Sequence, residues 1–198
     1  MAKNERAEPV QFLAHDRAEW RAWLAENHRT ATGVWLVFYK KGSGKPHLSY
    51  DEAVEEALCF GWIDSKPGKL DDERSMQYYS PRKPKSNWSK INKERVERLM
   101  AAGLMTESGL KMVELAKRTG TWAALDEVEA LIVPPDLQTE LEALQPAATH
   151  FAAFPRSVKR GILEWIMNAK TPETRQKRIA ETVRLAAENI RANQYVKK

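Results

Sequence analysis

The apolar positions of this chain change period several times from the N-terminus onward, and each change marks an element. Trp20, Trp23 and Leu24 recur at i, i+3 and i+4, one stripe of a helix. Asp16 and Glu19 precede that stripe with capping-box spacing, in which each side chain satisfies a backbone N–H at the other's position. A helix over 16–27 is predicted, and Phe12 and Leu13 are placed to fold back on its stripe. Six consecutive apolar residues follow, Val34–Tyr39, rich in β-branched and aromatic types. They read as a strand apolar on both faces and therefore central in its sheet.

Helical spacing returns at Tyr50, Ala53, Val54, Ala57 and Leu58, behind a second capping box formed by Ser49 and Glu52 and ahead of Gly61. A glycine there suits the left-handed residue after a helix end. Alternation then replaces it. Trp62, Asp64 and Lys66 fall on one face of a strand over 62–70, and Met76, Tyr78 and Ser80 share a face of a strand over 75–80. The turn 71–74 joins the two.

Beyond residue 86 every stripe is helical. Trp88, Ile91, Val96, Leu99 and Met100 mark a helix ending at Gly103, and Leu110, Val113 and Ala116 mark one capped by Thr106 and ending at Gly120. Pro134 and Pro135 then favour an extended linker. The pattern predicts an α+β fold. A small, mostly antiparallel sheet of three or more strands is flanked by helices in a domain spanning 1–132. An all-helical C-terminal domain, 133–198, is expected to pack on it.

Composition is that of a globular protein, 42% hydrophobic and 30% charged. No apolar run approaches the ~20 residues that span a bilayer, so no membrane insertion is expected. The first ten residues, MAKNERAEPV, lack the apolar core of an export signal. The single cysteine, Cys59, has no internal partner for a disulfide. Both features predict a cytoplasmic protein.

Charge adds a second feature. The net charge is +5, and residues 82–98 hold seven basic groups against two acidic, while residues 156–184 hold eight against three. Two basic segments in an otherwise neutral-to-acidic chain are a footprint for an anionic partner, a small molecule or phosphate, or for nucleic acid.

Candidate chemistry collects between residues 48 and 92. Asp64 with Lys66 and Tyr78 forms a candidate acid–base set, and Trp62 and Tyr78 can stack a planar ligand. Arg82 and Lys85 beside Trp88 can hold a phosphate or carboxylate, Arg by bidentate contact and Lys as a point charge. Arg175, at the start of the last helical stripe, is a candidate second contact to the same anion. His15, His28, His47 and His150 stand in different elements without ligand spacing, so no metal is expected. No G-x-G-x-x-G is present, and the loop 40–46 lacks the spacing of a phosphate-binding loop. No cofactor is expected.

Several motifs carry a resemblance. EALCFGWID at 56–64, the Ser80-Pro81-Arg82 turn, SNWSKIN at 86–92, GLMTESGL at 103–110 and AKTPETRQKRI at 169–179 resemble the YdeI-like, bacteriocin-protection or OmpD-associated family of bacterial proteins. The resemblance covers nearly the whole chain. It differs from the family pattern at Ser65, where Gly is common, and at Ser80, where Thr is common; neither change removes an ionisable group. The resemblance implies a role in protection against bacteriocins or antimicrobial peptides, and no catalytic set comes with it. A chain of net charge +5 does not attract cationic peptides by long-range field, and direct porin contact would require export. An indirect cytoplasmic role is therefore expected. The leading expectation is a non-catalytic binding protein for an anionic ligand, the alternatives being an enzyme using Asp64 as acid or base and a nucleic-acid binder using both basic segments.

Overall fold

A computed structural model describes residues 10–194, so the stretch read for an export signal lies outside the described residues except for Val10. The chain divides into two compact units, Met1–Ala123 and Ala124–Lys198.

The first unit is built on a four-stranded sheet. Its strands are β1 (Gln11–Leu13), β2 (Val34–Tyr39), β3 (Trp62–Lys69) and β4 (Arg74–Pro81), in the order β1-β2-β4-β3. The strand apolar on both faces, β2, is internal, as expected. The sheet is mixed rather than antiparallel throughout. Phe12 and Leu13 form β1, which pairs parallel to β2, with Phe12 opposite Leu36. A parallel neighbour needs a crossover connection, and the helix α1 (Arg17–Asn27) supplies it. Phe12 still reaches the helical stripe, its ring 6.3 Å from that of Trp20 and 5.8 Å from that of Trp23.

Helices α1 and α2 (Tyr50–Cys59) cover one face of the sheet. Both starts are capped: Ser49 and Glu52 make the reciprocal capping box the spacing predicts, whereas the Asp16 side chain accepts from the Glu19 N–H but the Glu19 carboxylate takes the His15 N–H instead of that of Asp16. Trp20, Leu24, Val54 and Leu58 pack there against Val34, Leu36, Trp62 and Tyr79. The polar tips of the buried indoles find partners, Trp20 Nε1 donating to the Ala53 carbonyl and Trp62 Nε1 to the His28 carbonyl.

Helices α3 (Lys90–Ala101) and α4 (Glu107–Thr119) complete the unit. Charged pairs bind the helices to α2. Glu56 is buried and takes Arg17 and Arg21 of α1, and Glu55 takes Arg98 of α3 at 2.8 Å. Buried Cys59 has its thiol pushed up to about 11 by burial and by Glu56, so it packs as a small hydrophobe.

The second unit is helical throughout its described residues. It holds α5 (Asp126–Glu129), α6 (Pro135–Ala143), α7 (Gln145–Ala153), α8 (Arg156–Met167) and α9 (Pro172–Ala187). Pro135 opens α6 instead of extending a linker, because a proline lacks only an N–H that the first helical turn leaves unpaired anyway. Leu137, Phe151, Ile162, Ile166 and Ile179 are its central apolar residues. No described helix is long and apolar enough to cross a membrane.

Candidate functional site

Local geometry separates the expected acid–base set. Asp64 pairs with Tyr79, but Pro67 pairs with Gln77, so β3 carries one residue more than β4 across this stretch. An extra residue in a period-two strand reverses the face of everything after it. Proline promotes such a break because it has no N–H for the ladder. Lys66 therefore leaves the face of Asp64. It joins Tyr78 on the other side of the sheet, its Nζ 5.8 Å from the Tyr78 ring and 5.6 Å from the Trp35 ring. Asp64, Lys66 and Tyr78 do not share a face.

Asp64 stays on the helix-covered side, and two donors converge on its Oδ2. Tyr50 Oη, at the first turn of α2, donates at 2.9 Å, and Gln77 Nε2 donates at 3.1 Å. Burial, and then the bond to Asp64, push the Tyr50 phenol up to about 12. Next to Asp64 across the hairpin, Tyr79 is completely buried, and its hydroxyl has no hydrogen-bond partner. Burial first, then the Asp64 charge, drive its ionisation far above the usual tyrosine value.

These shifts predict that Tyr50 and Tyr79, two of the five tyrosines, are still largely protonated at pH 11 in the folded protein. Unfolded tyrosine ionises near pH 10. The unfolded chain therefore loses these protons first, and their contribution to stability, complete below about pH 10, falls as pH rises. Ultraviolet titration of the wild type beside Tyr50→Phe and Tyr79→Phe should show the late-ionising fraction shrink in each variant. An unchanged fraction in both would contradict the assignment.

Arg82 follows β4 and is turned inward. It is 6% exposed, its guanidinium 3.8 Å above the Trp88 ring, and one Nη donates to the Asn87 carbonyl. Its Nε is buried without a partner. No carboxylate among the described residues lies within ion-pair distance of it, and Asp64 is the charge that acts on it through space. Burial lowers its pKa to about 10 against that attraction.

Arg95 of α3 is the other cation that bears on this end of the sheet. It donates to Asn92 at 2.8 Å and to Asp51, and its charge acts on both Tyr50 and Tyr79.

The remaining expected residues are placed as follows. Trp62 and Trp88 are core residues, the first packed edge-on against Trp23 and the second against Trp122 and Arg82. Lys85 and Lys83 are exposed on the loop after Arg82. Arg175 belongs to the second unit, where Asp136 takes it bidentately at 2.6 and 2.8 Å. Most arginines of the two basic segments are likewise engaged: Arg95 and Arg98 by Asp51 and Glu55, Arg160 by Glu129 and Glu164, Arg178 by the Trp165 carbonyl. No group of side chains fit to hold a metal occurs among the described residues.

Arg95 belongs to the basic segment 82–98 read from the sequence, whereas Tyr50, Gln77 and Tyr79 were not singled out there. Tyr50 is masked there as a member of a helical stripe, and the pairing of Tyr79 with Asp64 depends on a hairpin register that alternation alone leaves open.

A model of a domain of unknown function (DUF8412) matches residues 12–112, the range holding the GWID and NWSKIN motifs and every residue of the Asp64 cluster. A second model, described as bacteriocin-protection, YdeI or OmpD-associated, matches residues 130–189, the range holding the motif at 169–179. No curated protein and no solved structure matches the chain.

Proposed function

This chain belongs to the DUF8412 family and carries over residues 130–189 the segment characteristic of the YdeI or OmpD-associated bacteriocin-protection family, and from that premise we propose that it is a non-catalytic binding protein for an anionic small molecule. One observation carries the reading: Arg82 Nε and Tyr79 Oη are buried hydrogen-bonding groups with no partner, and the Asp64 charge acts on both. A buried unsatisfied donor costs on the order of 1–3 kcal/mol, more when charged. An acceptor-rich group such as phosphate or carboxylate satisfies a guanidinium of this kind. Arg95 adds positive potential, and exposed Lys83 and Lys85 raise the local concentration of anions at the approach.

In this reading the protein acts in the cytoplasm. The unpaired thiol of Cys59 suits a reducing compartment. Its part in bacteriocin protection is indirect, through the bound ligand rather than through capture of a cationic peptide.

Thermal unfolding with inorganic phosphate, pyrophosphate or citrate, each against sodium chloride at matched ionic strength, tests the binding. A ligand at a hundred times its dissociation constant stabilises by about 2.7 kcal/mol. That corresponds to roughly 5–10 °C in a protein of this size. At least one of the three anions is expected to raise the midpoint beyond the chloride control. If none does, the reading fails.

A further inference from the structure

The second unit contains an open cavity of about 270 Å³ whose walls are mainly apolar: Leu131, Val133, Leu141 and Phe151, with Ala148 and Ala152. Two polar side chains reach it, Gln138 and Lys159. Leu131, at its rim, lies in the left-handed region with φ 58°. A branched side chain there carries a cost of about 1 kcal/mol or more, and that turn leads the chain into Val133 on the same wall.

Lys159 is the unusual member. The side chain is half-buried along its length, and its ammonium, at the exposed end, donates to the Ala152 carbonyl in the last turn of α7 at 3.0 Å. Among the described residues no carboxylate lies within ion-pair distance of it. The nearby acids are committed elsewhere: Glu129 and Glu164 both hold Arg160, and Glu142 holds Gln138. An ammonium carries three donors, and one is used by the protein.

An apolar cavity with one cation at its edge, not paired to any carboxylate, selects a ligand by charge as well as by shape. We infer that this cavity binds an amphipathic monocarboxylate, its hydrocarbon body among Leu131, Val133, Leu141 and Phe151 and its carboxylate on Lys159. An amine of the same length would meet the lysine's charge, and an alcohol would leave it unpaired. A cavity of 150 Å³ accepts benzene, so by proportion this one takes a body of about ten carbons. The site shares no residue with the Asp64 cluster, and the two readings stand or fall separately.

Calorimetric titration of the full-length protein with octanoate and octylammonium below their micelle concentrations and octanol below its solubility limit, all at low salt, tests it. Octanoate should bind saturably with one site and at least tenfold more tightly than octylammonium. Lys159→Met should weaken octanoate at least tenfold without weakening octanol. Ala148→Phe should fill the cavity and abolish both. Equal affinity for octanoate and octylammonium, or no binding of octanoate, overturns the inference. If Ala148→Phe does not fold, the comparison of headgroups with Lys159→Met still decides it.

Discussion

Gly109→Ala is expected to lower the melting temperature of the first unit by about 10 °C, although alanine is the better helix former by about 1 kcal/mol. Gly109 lies in the first turn of α4, where the helix meets the C-terminal end of α2. A Cβ there would stand 2.3 Å from the Cys59 carbonyl oxygen and 2.8 Å from that of Leu58. Both are backbone atoms of a buried helix end, so no side-chain rotation relieves the contact. The helices must separate, which strains the bonds by which the Thr106 N–H, at 3.1 Å, and its hydroxyl, at 2.6 Å, hold the same Cys59 carbonyl. Overpacking costs about 1–3 kcal/mol and each weakened bond about 1 kcal/mol; together these outweigh the helix propensity and leave a loss of about 2–4 kcal/mol. Gly161→Ala in α8 is the control. Nothing lies within 4 Å of its added Cβ, so the propensity gain is unopposed and stability should rise by up to about 1 kcal/mol. Calorimetric or denaturant unfolding of the two variants checks the signs. A Gly109→Ala protein as stable as wild type would mean that the α2–α4 contact is looser than described.

Arg82→Met is expected to change stability by no more than about 1 kcal/mol while removing the response to phosphate. The opposing terms are of similar size. A guanidinium held 94% out of water without a carboxylate costs several kcal/mol. The contact over Trp88 returns about 2 kcal/mol when desolvated, and the bond to the Asn87 carbonyl about 1.5–3 kcal/mol. Methionine keeps much of the apolar volume without the desolvation. Had Arg82 been kept only to staple the loop 82–88, its removal would cost 3 kcal/mol or more, and that result would take it out of the site. Denaturant unfolding with and without phosphate separates the two outcomes.

The elements of the fold were largely legible because they rest on local signals. The helix N-caps at Asp16 and Ser49 and two helix-end glycines, Gly61 and Gly120, appear where their spacing places them. The β1 strand was not legible. Three residues, Gln11–Leu13, have no period of their own, and their extended form depends on pairing with β2. The face of Lys66 was misread for a related reason: the bulge before Pro67 is set by pairing, not by alternation. Of the candidate site, Asp64 and Arg82 could be picked out by residue type. Burial of Arg82 and isolation of the Tyr79 hydroxyl could not. Both arise from packing of α2, the sheet and the loop 82–88, and depend on contacts distant in sequence. Exposed apolar residues within helical stripes, Ile91 and Met100 of α3, show the same limit.

Anion binding at this site depends on the unpartnered Nε–H of Arg82, and that proton can be observed. A ¹H–¹⁵N spectrum of the arginine Nε region, assigned by comparison with Arg82→Met, should show the Arg82 signal moving downfield and saturating as inorganic phosphate is added, with no such change in chloride at the same ionic strength. A signal that stays in place while those of exposed arginines move would contradict the claim that the buried guanidinium receives the anion.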